Sequence, residues 1–524
     1  MRRLSADVVV IGGGATGSGV VRDCAMRGYK AVLVERADLA QGTSARFHGL
    51  LHSGGRYVVA DPESGAECAR ENAILKRIQA NAIETTGGLF VSFDGDDPEF
   101  PDKFVKGAEI AKLPFEEISA AQALKREPRL NPKIQRVMAV EDGTVDGWAL
   151  CWGAVRSAIA YGAQVLTYTE VTSIDVVDGA ASAVHCTDRK SGEEIVIDTG
   201  FVLNAGGPWA GKIAEMVGVH DVNVVPGRGV MVAMSHRVVN GVVNHLIKPA
   251  DGDIIVPVHT VAIVGTTDTA VPDPDRLELP RDEVQKMLDM GEKMIPGFRE
   301  SRALHAWSGA RPLVKDTRVA AGDTRHMSRG MSIIDHESRD GLKGFLTIAG
   351  GKLTTYRLMA KNIVDVMCEQ LGDSRPCTTD TEPVPEAKSG KNYFVSHRLH
   401  DREQEWQKDQ IICECELMSR KMFEKLLEEK PDASFDDLRR QLRLGMGPCQ
   451  GGFCSLRAAG IACDKGSWSA DHATAALRLF LKNRWIGLWP ILSGDQLKQT
   501  ALDNWIFSGT LDIEHLPATE EVVL

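Results

Sequence analysis

Four apolar residues in a row, Val8-Val-Val-Ile11, run into Gly12-Gly-Gly14 and then into a stretch of helical character that lasts to Gly28. A second apolar run, Ala31-Val-Leu-Val34, closes on Glu35. Short unbroken apolar runs bounded by glycine fit strands buried on both faces, and strand–helix–strand in this order predicts a parallel βαβ unit. The chain therefore opens as a doubly wound α/β domain. Helical patterns follow around residues 66–83 and 119–127, the second beginning Ser119-Ala-Ala-Gln122, the spacing of a capping box. Residues 163–235 alternate short β-rich runs with glycine turns, as does Asp253 to Thr267. An amphipathic helix is expected over 281–294, and the strand Gly344-Phe-Leu-Thr-Ile348 leads through Ala-Gly-Gly-Lys into a helix to about Leu371.

The periodicity stops there. Residues 372–398 carry three prolines among Ser, Thr, Lys and Glu, and 372–409 read as a linker. The expected organisation is an oxidoreductase-type α/β region over 1–371, this linker, a four-cysteine module over 410–465, and a helical tail over 466–524. Within the module, helices are expected from Met418 to Glu429 and after a Ser434 cap with Asp437 three residues on. In the tail, Trp485-Ile-Gly-Leu-Trp-Pro-Ile-Leu492 is apolar but far too short to span a bilayer. It reads as core or as a partner contact, with an interfacial membrane role as the alternative.

Composition narrows the class. With 524 residues the chain has room for about three domains, and 43% hydrophobic with 25% charged residues fits an ordered globular enzyme. The 61 basic and 72 acidic residues leave a net charge of −11, which argues against broad nucleic-acid binding. The start, Met-Arg-Arg followed by a strand, lacks a signal-peptide pattern, so folding is expected in the compartment of synthesis.

Gly12, Gly14 and Gly17 form G-x-G-x-x-G between strand and helix. The first permits the tight turn, the second lets the backbone approach a pyrophosphate, and the third allows close helix–strand packing. Phosphates would rest on the free N–H groups of the helix N-terminus, and Glu35 is placed to accept from ribose hydroxyls. Two features favour FAD over NAD. Gly42-Thr-Ser-Ala-Arg-Phe-His-Gly-Leu-Leu-His-Ser-Gly-Gly-Arg56 is rich in backbone and hydroxyl donors, and Gly350-Gly-Lys-Leu-Thr354 opens a second helix after a strand. That second N-terminus can stabilise negative charge on a reduced flavin ring.

Seven of the eleven cysteines are scattered, but Cys413 and Cys415 form C-x-C, and Cys449 and Cys454 form C-x4-C. Thiolates in this number suit an iron–sulfur cluster or zinc, and a cluster-free redox or structural role is the third reading. The spacing differs from the paired C-x2-C knuckles of a zinc ribbon.

Five segments, Ile11-Gly-Gly-Gly-Ala-Thr-Gly-Ser-Gly19, Leu51-His-Ser-Gly-Gly-Arg-Tyr57, Gly265-Thr-Thr-Asp268, Ser308-Gly-Ala-Arg-Pro-Leu313 and Gly350-Gly-Lys-Leu-Thr-Thr-Tyr-Arg357, together resemble the FAD-dependent glycerol-3-phosphate dehydrogenases. The tail Cys413-Glu-Cys…Gly445-Met-Gly-Pro-Cys-Gln-Gly-Gly-Phe-Cys454 is similar to the bacterioferritin-associated-ferredoxin type of [2Fe-2S] domain. Both parts in this order resemble the anaerobic bacterial branch of the family. Aerobic members read His-Gly-Gly-Leu-Arg where this chain has His52-Ser-Gly-Gly-Arg56, with the His-to-Arg spacing kept.

The resemblance implies a glutathione-reductase-type FAD-binding domain interleaved with a mixed-sheet substrate domain, followed by a small helical iron–sulfur domain and a helical tail. It implies oxidation of sn-glycerol 3-phosphate to dihydroxyacetone phosphate, with FAD and a [2Fe-2S] cluster as cofactors. It further implies two partners, a second flavoprotein subunit plus a membrane-anchoring iron–sulfur subunit, that pass electrons to menaquinone and on to fumarate. The chain would then lie peripherally on the cytoplasmic face of the inner membrane. The FAD contacts implied are Gly12, Gly14, Gly17, Glu35, Arg36, Thr43, Ser44, His48, Gly49, Leu50, Val171, Gly206, Gly351, Lys352, Leu353 and Thr354. The implied cluster ligands are Cys413, Cys415, Cys449 and Cys454.

The reaction needs cations for a phosphate dianion, a base for the C2 hydroxyl and donors at the developing oxyanion. Arg56, Arg311, Arg329 and Lys352 stand at family-motif positions, and Tyr57 is either a substrate hydrogen bond or a wall of the site. His52 is the candidate base or orienting group, with a flavin-contacting structural role as the alternative. His48 reads as a flavin or packing contact. Arg311 serves the phosphate or polarises the C2 oxygen. Arg228 is assigned no catalytic role. The competing readings are an oxidase or amine oxidase of the same flavin superfamily, and an electron-transfer protein without a substrate of its own.

Overall fold

The computed structural model describes residues 1–314, 330–389, 395–405, 408–431, 433–510 and 512. The glycine-bounded apolar runs pair as parallel strands at the centre of a six-stranded sheet. Its order is Gln164–Leu166, Ala31–Val34, Val8–Ile11, Val202–Asn204, Phe345–Gly350 and Met331–Asp335, with only the last pair antiparallel. Every residue of Val8–Ile11 and Ala31–Val34 is buried, because helices Ala15–Met26, Gly147–Ala160 and Tyr356–Leu371 pack on one side. The four-stranded sheet Arg2–Ser5, Glu194–Asp198, Ala180–Asp188 and Thr169–Val177 covers the other.

The strand Phe345–Gly350 lies beside Val202–Asn204, so the chain leaves this sheet and returns to it. In between it adds strands to a large mixed sheet whose remaining strands come from residues 88–140. Val224–Met234 pairs with Val261–Gly265 and with Ala303–Val314, and the sheet continues through Ile254–Val258, Val242–His245, Gly88–Phe93, Ile134–Val140 and Phe115–Ile118. The helix Arg281–Met294 has the bounds its periodicity predicts and buries Val284, Met287, Leu288 and Met294 against that sheet. The Ser119 capping box is present. The helix expected over 66–83 instead runs Pro62–Ile78 and is capped by Asp61. The β-rich reading of 163–235 holds except for the short helix Ala210–Glu215.

Packing continues across two of the expected boundaries. The stretch read as a linker is packed over much of its length: Val384 is fully buried and its N–H donates to the Ile78 carbonyl at 2.9 Å. Arg22 explains why. It is buried in helix Ala15–Met26 and donates to the carbonyls of Thr379 (3.2 Å) and Glu382 (2.5 Å), so this segment supplies the acceptors a buried guanidinium requires. Residues Val395–Glu405 then form a helix. The cysteine module also does not close at residue 465. Trp468, Ala473, Ala476 and Phe480 share one core with Ile412, Phe423 and Leu438, so helix Ala470–Leu488 completes the module. Leu488 and Ile491 are buried in the mixed-sheet core, whereas Trp485, Ile486 and Trp489 are exposed.

One buried ion pair ties the returning helix to the rest. Arg357 donates from Nε and Nη2 to the two carboxylate oxygens of Glu71, at 2.9 and 2.5 Å, with both side chains almost fully buried. Removing one partner strands the other charge, so Arg357→Met should lower unfolding free energy by about 3–5 kcal/mol. The double variant Arg357→Met/Glu71→Leu should recover part of that loss. Urea unfolding of the three proteins checks both outcomes.

Candidate flavin, substrate and cysteine sites

The strand Val8–Ile11 ends at Gly12, whose φ is +109°. A β-carbon there would stand 2.6 Å from the Ala205 carbonyl oxygen, so the turn admits only glycine. A β-carbon on Gly17 would lie 1.8 Å from the Gly12 carbonyl oxygen, which is the close helix-on-turn packing expected of the third glycine. Gly14 precedes helix Ala15–Met26 and supplies no side-chain cap. Ser44 does so from a distant segment, accepting the Ala15 N–H at 2.8 Å. Glu35 accepts the Gly13 N–H at 2.6 Å and the Ala37 N–H at 3.0 Å. Burial pushes its carboxyl above the usual range, opposed by those two amides.

A cavity of about 1050 Å³ runs from this turn, lined by Gly12, Gly14, Glu35, Arg36, Thr43, Ser44, His48, Leu50, Val171, Gly206, Gly351, Lys352, Leu353 and Thr354. His52, Arg56, Tyr57 and Arg311 line it as well. Gly17 and Gly49 do not. Gly17 acts from behind the turn. Gly49 lies beside the lining residues His48 and Leu50; its φ is +87° and a β-carbon would meet Val258 at 2.9 Å, so the position requires glycine. Arg329 lies outside the described residues.

Arg311 sits on strand Ala303–Val314 opposite Gly227. It donates to Asp268 at 3.2 Å, to the Thr267 carbonyl at 3.0 Å and to the Thr266 hydroxyl. Arg56 donates to Asp253 at 2.8 Å, and the same carboxylate oxygen accepts the Ala250 N–H. Burial alone would weaken the Arg56 charge, but Asp253 more than offsets it, so its pKa is raised. Lys352 donates to the Ser64 hydroxyl at 3.0 Å and stands 4.8 Å above the Tyr57 ring. Three cations from distant segments thus line one cavity.

Two imidazoles, His48 and His52, line the same cavity with ring centres 6.2 Å apart. The Leu50 N–H donates to His48 Nδ1 at 3.1 Å. Burial, then Arg56 and Arg311, push the His48 pKa down to about 3, so it is neutral and presents Nε2–H as a donor. His52 is fixed differently: its backbone N–H donates to Thr354 Oγ1 at 3.1 Å, and its ring lies 5.4 Å from that of Tyr57. Gly350 and Gly351, at φ +77° and +75°, turn the strand into the helix Tyr356–Leu371. Arg228, assigned no catalytic role, pairs with Glu283.

No local pattern points to Asp253, which orients Arg56. Asp268 stands in the quoted Gly265-Thr-Thr-Asp268 segment, but its task of holding Arg311 needs the strand pairing to be visible. Trp209, Lys212 and Asp275, which also line the cavity, were missed too. Asp275 pairs with Arg36 at 2.7 Å and accepts from Trp209 at 3.0 Å, joining residues that share no periodicity.

The cysteine loops approach one another across the module. Cys413 interacts with Cys454, and Cys449 with both Cys415 and Cys454. Hydrogen bonding to Cys415, then Cys454, lowers the Cys449 thiol, assisted by the N–H groups of Gly451 and Phe453. A β-carbon on Gly447 would stand 2.3 Å from Cys415 Cβ, so the loop wraps tightly around the thiols. All four are free thiols, and Cys413 and Cys454 are buried. Among the described residues, no group of three or more His, Cys, Asp or Glu side chains has the arrangement of a metal site. In donor chemistry alone, four neighbouring thiols, three of them also receiving backbone N–H groups, are of the kind a thiolate-bound cluster uses.

The family model described as FAD dependent oxidoreductase matches residues 7–357. The chain is 38% identical to the A subunit of the anaerobic glycerol-3-phosphate dehydrogenase of Escherichia coli (strain K12), across 97% of each protein. The A1 subunit of the enzyme of the same name from Haloferax volcanii is 36% identical over 99% of this chain and 92% of its own length. In fold the chain is similar to the glycerol-3-phosphate dehydrogenase of Bacillus halodurans, a structure complexed with FAD. The TM-score is 0.66 at 20% identity, covering 94% of this chain and 96% of that one. The fold, the glycine turn and similarity along nearly the whole length agree: this chain belongs to the FAD dependent oxidoreductase family and, within it, to the family of anaerobic glycerol-3-phosphate dehydrogenase A subunits.

Proposed function

We propose that the chain oxidises sn-glycerol 3-phosphate to dihydroxyacetone phosphate. The observation that carries this reading is the convergence of Arg56, Arg311, Lys352 and His52 with the glycine turn on one cavity. The residues suited to hold FAD are Gly12, Gly14, Glu35 and Ser44 at the nucleotide end, and Gly351 to Thr354 at the ring end. Bound there, FAD supplies the acceptor for the hydride that leaves C2.

The chain's own side chains do the rest. Arg56 and Lys352 are suited to the phosphate dianion, the first because its planar fork meets two oxygens at once. Arg311, held by Asp268 and Thr267, needs no reorganisation to face an anion and stabilises either the phosphate or the C2 oxygen. His52 takes the C2 hydroxyl proton, and the Thr354 contact fixes its backbone for that task. The neutral His48, which lines the same cavity, has Nε2–H available as a donor.

For the exit of electrons, the reading is a [2Fe-2S] cluster on Cys413, Cys415, Cys449 and Cys454, with zinc as the less favoured occupant. A second flavoprotein subunit plus a membrane-anchoring iron–sulfur subunit would carry electrons to menaquinone, with this chain peripheral on the cytoplasmic face of the inner membrane. The relatives are named as one lettered component of a larger enzyme, which supports the existence of partners. Among the described residues no helix is long and apolar enough to cross a membrane, in keeping with attachment through a partner.

Adding sn-glycerol 3-phosphate anaerobically to the purified protein should bleach its flavin band; an unchanged spectrum would refute the substrate assignment. Arg311→Met should lower kcat/KM for sn-glycerol 3-phosphate roughly 10- to 100-fold, the scale of losing a hydrogen bond to a charged group, as read by steady-state dye reduction. Metal analysis should find iron with equal acid-labile sulfide and little zinc, and Cys415→Ser should lose most of that iron. Zinc without sulfide would refute the cluster.

A further inference from the structure

One buried carboxylate helps to seat the cysteine loop on the rest of the molecule, beside the Arg302 contact to the Pro448 carbonyl. Glu416, the neighbour of Cys415, is completely buried. Its Oε2 accepts from Arg398 and Arg443, each at 3.2 Å, and lies 2.8 Å from His259 Nδ1. Arg398 also donates to the Glu416 carbonyl at 3.2 Å. These partners come from helix Val395–Glu405, from the end of helix Phe435–Leu442, and from the turn between strands Ile254–Val258 and Val261–Gly265 of the mixed sheet.

Two connections lead from Glu416 to the large cavity. Arg443 donates to Asp146 at 2.7 Å, and Asp146 caps helix Gly147–Ala160 by accepting the Ala149 N–H. A β-carbon on Gly147 would stand 2.0 Å from the Ser44 carbonyl, so the start of this helix rests on the residue that caps the nucleotide-binding helix. The second connection is the hairpin bearing His259. Next in sequence, Thr260 faces Gly447 of the cysteine loop, 3.4 Å from where a β-carbon would be. The strand that follows ends at Gly265, where a β-carbon would be 3.6 Å from His48 Cβ.

A buried carboxylate with three nitrogen partners is worth little as net stability, because desolvation cancels most of the attraction. What such a cluster does provide is one permitted arrangement: any shift of the loop strands a charge away from water.

We propose that Glu416 is a positioning residue that locks the four-cysteine loop to the flavin domain at one fixed separation, so that electrons pass from reduced flavin to the cluster without a domain swing. This rests on the flavin and cluster reading above. With FAD and a cluster held by the four cysteines, the two electrons that left C2 as hydride would pass on one at a time, the cluster supplying a one-electron ferric/ferrous acceptor. A one-electron acceptor protein, or ferricyanide in the assay, takes each in turn, and the flavin proton is released to water.

The test uses the full-length protein, with Glu416→Gln to remove the charge at constant shape. Flavin bleaching by sn-glycerol 3-phosphate should keep the parent rate in anaerobic stopped flow. The cluster bleaching that follows should slow about 10- to 100-fold, the scale of losing a group that orients a metal ligand. Amide exchange over residues 411–417 and 443–454 should rise, and Arg443→Lys, which keeps a positive partner, should fall between variant and parent. Cluster reduction at the parent rate, or unchanged exchange, overturns the proposal. Should the variant lose iron, exchange is compared between iron-free parent and iron-free variant, with equal protection again overturning it. If sn-glycerol 3-phosphate leaves the parent flavin oxidised, the functional reading fails by itself. Photoreduction of the flavin with a sacrificial amine then delivers the electrons for the same comparison.

Discussion

Everything at the large cavity depends on how closely helix Ala15–Met26 lies on the turn before it. The Gly12 carbonyl occupies the space where any side chain at position 17 would begin, and the Ala205 carbonyl does the same at position 12. That contact aims the first turn of the helix, with its free N–H groups, into the cavity. The cap is then completed from outside the unit: Ser44 accepts the Ala15 N–H, and Gly147 presses on the Ser44 backbone. The nucleotide end is therefore assembled from three segments around one backbone approach.

The substrate end follows a different rule. Its cations are part-buried, and each is held by an acid or hydroxyl from another segment: Asp253 for Arg56, Asp268 for Arg311, Ser64 for Lys352. Holding them costs desolvation, which the acids offset before any ligand arrives. A phosphate then meets positive groups already facing it and adds interactions without first having to order the side chains. Burial, aided by the same positive groups, keeps His48 neutral, and with Nδ1 accepting from Leu50 its Nε2–H is left to donate.

The cysteine module repeats this logic between domains. Buried charge at Glu416, Arg443 and Asp146 joins the cysteine loop to the flavin domain, while Arg440 reaches Asp38, and Lys430 stands 4.1 Å over the Trp152 ring. Helix Ala470–Leu488 fills the module core with one face, and the residues just after it enter the core of the mixed sheet. The tail is thus a strut between the two bodies, which is why a boundary drawn at residue 465 from composition does not match the packing.

The sequence by itself determined the local elements: the βαβ opening, the bounds of helix 281–294, the Ser119 and Ser434 caps, and the glycine turn with Glu35. Each is set by neighbours within a few residues, through backbone sterics, periodic burial and capping hydrogen bonds. Motif resemblance also brought Arg56, Arg311, Lys352 and His52 together as candidates. Only the tertiary structure decided that they line one cavity, that Gly49 packs against Val258, and that Asp253 and Asp268 fix the arginines. It also decided that the proline-bearing stretch after Leu371 is held by Arg22. Those outcomes rest on strand order and on pairing buried charges between segments far apart in the chain, and neither leaves a periodic trace in the sequence.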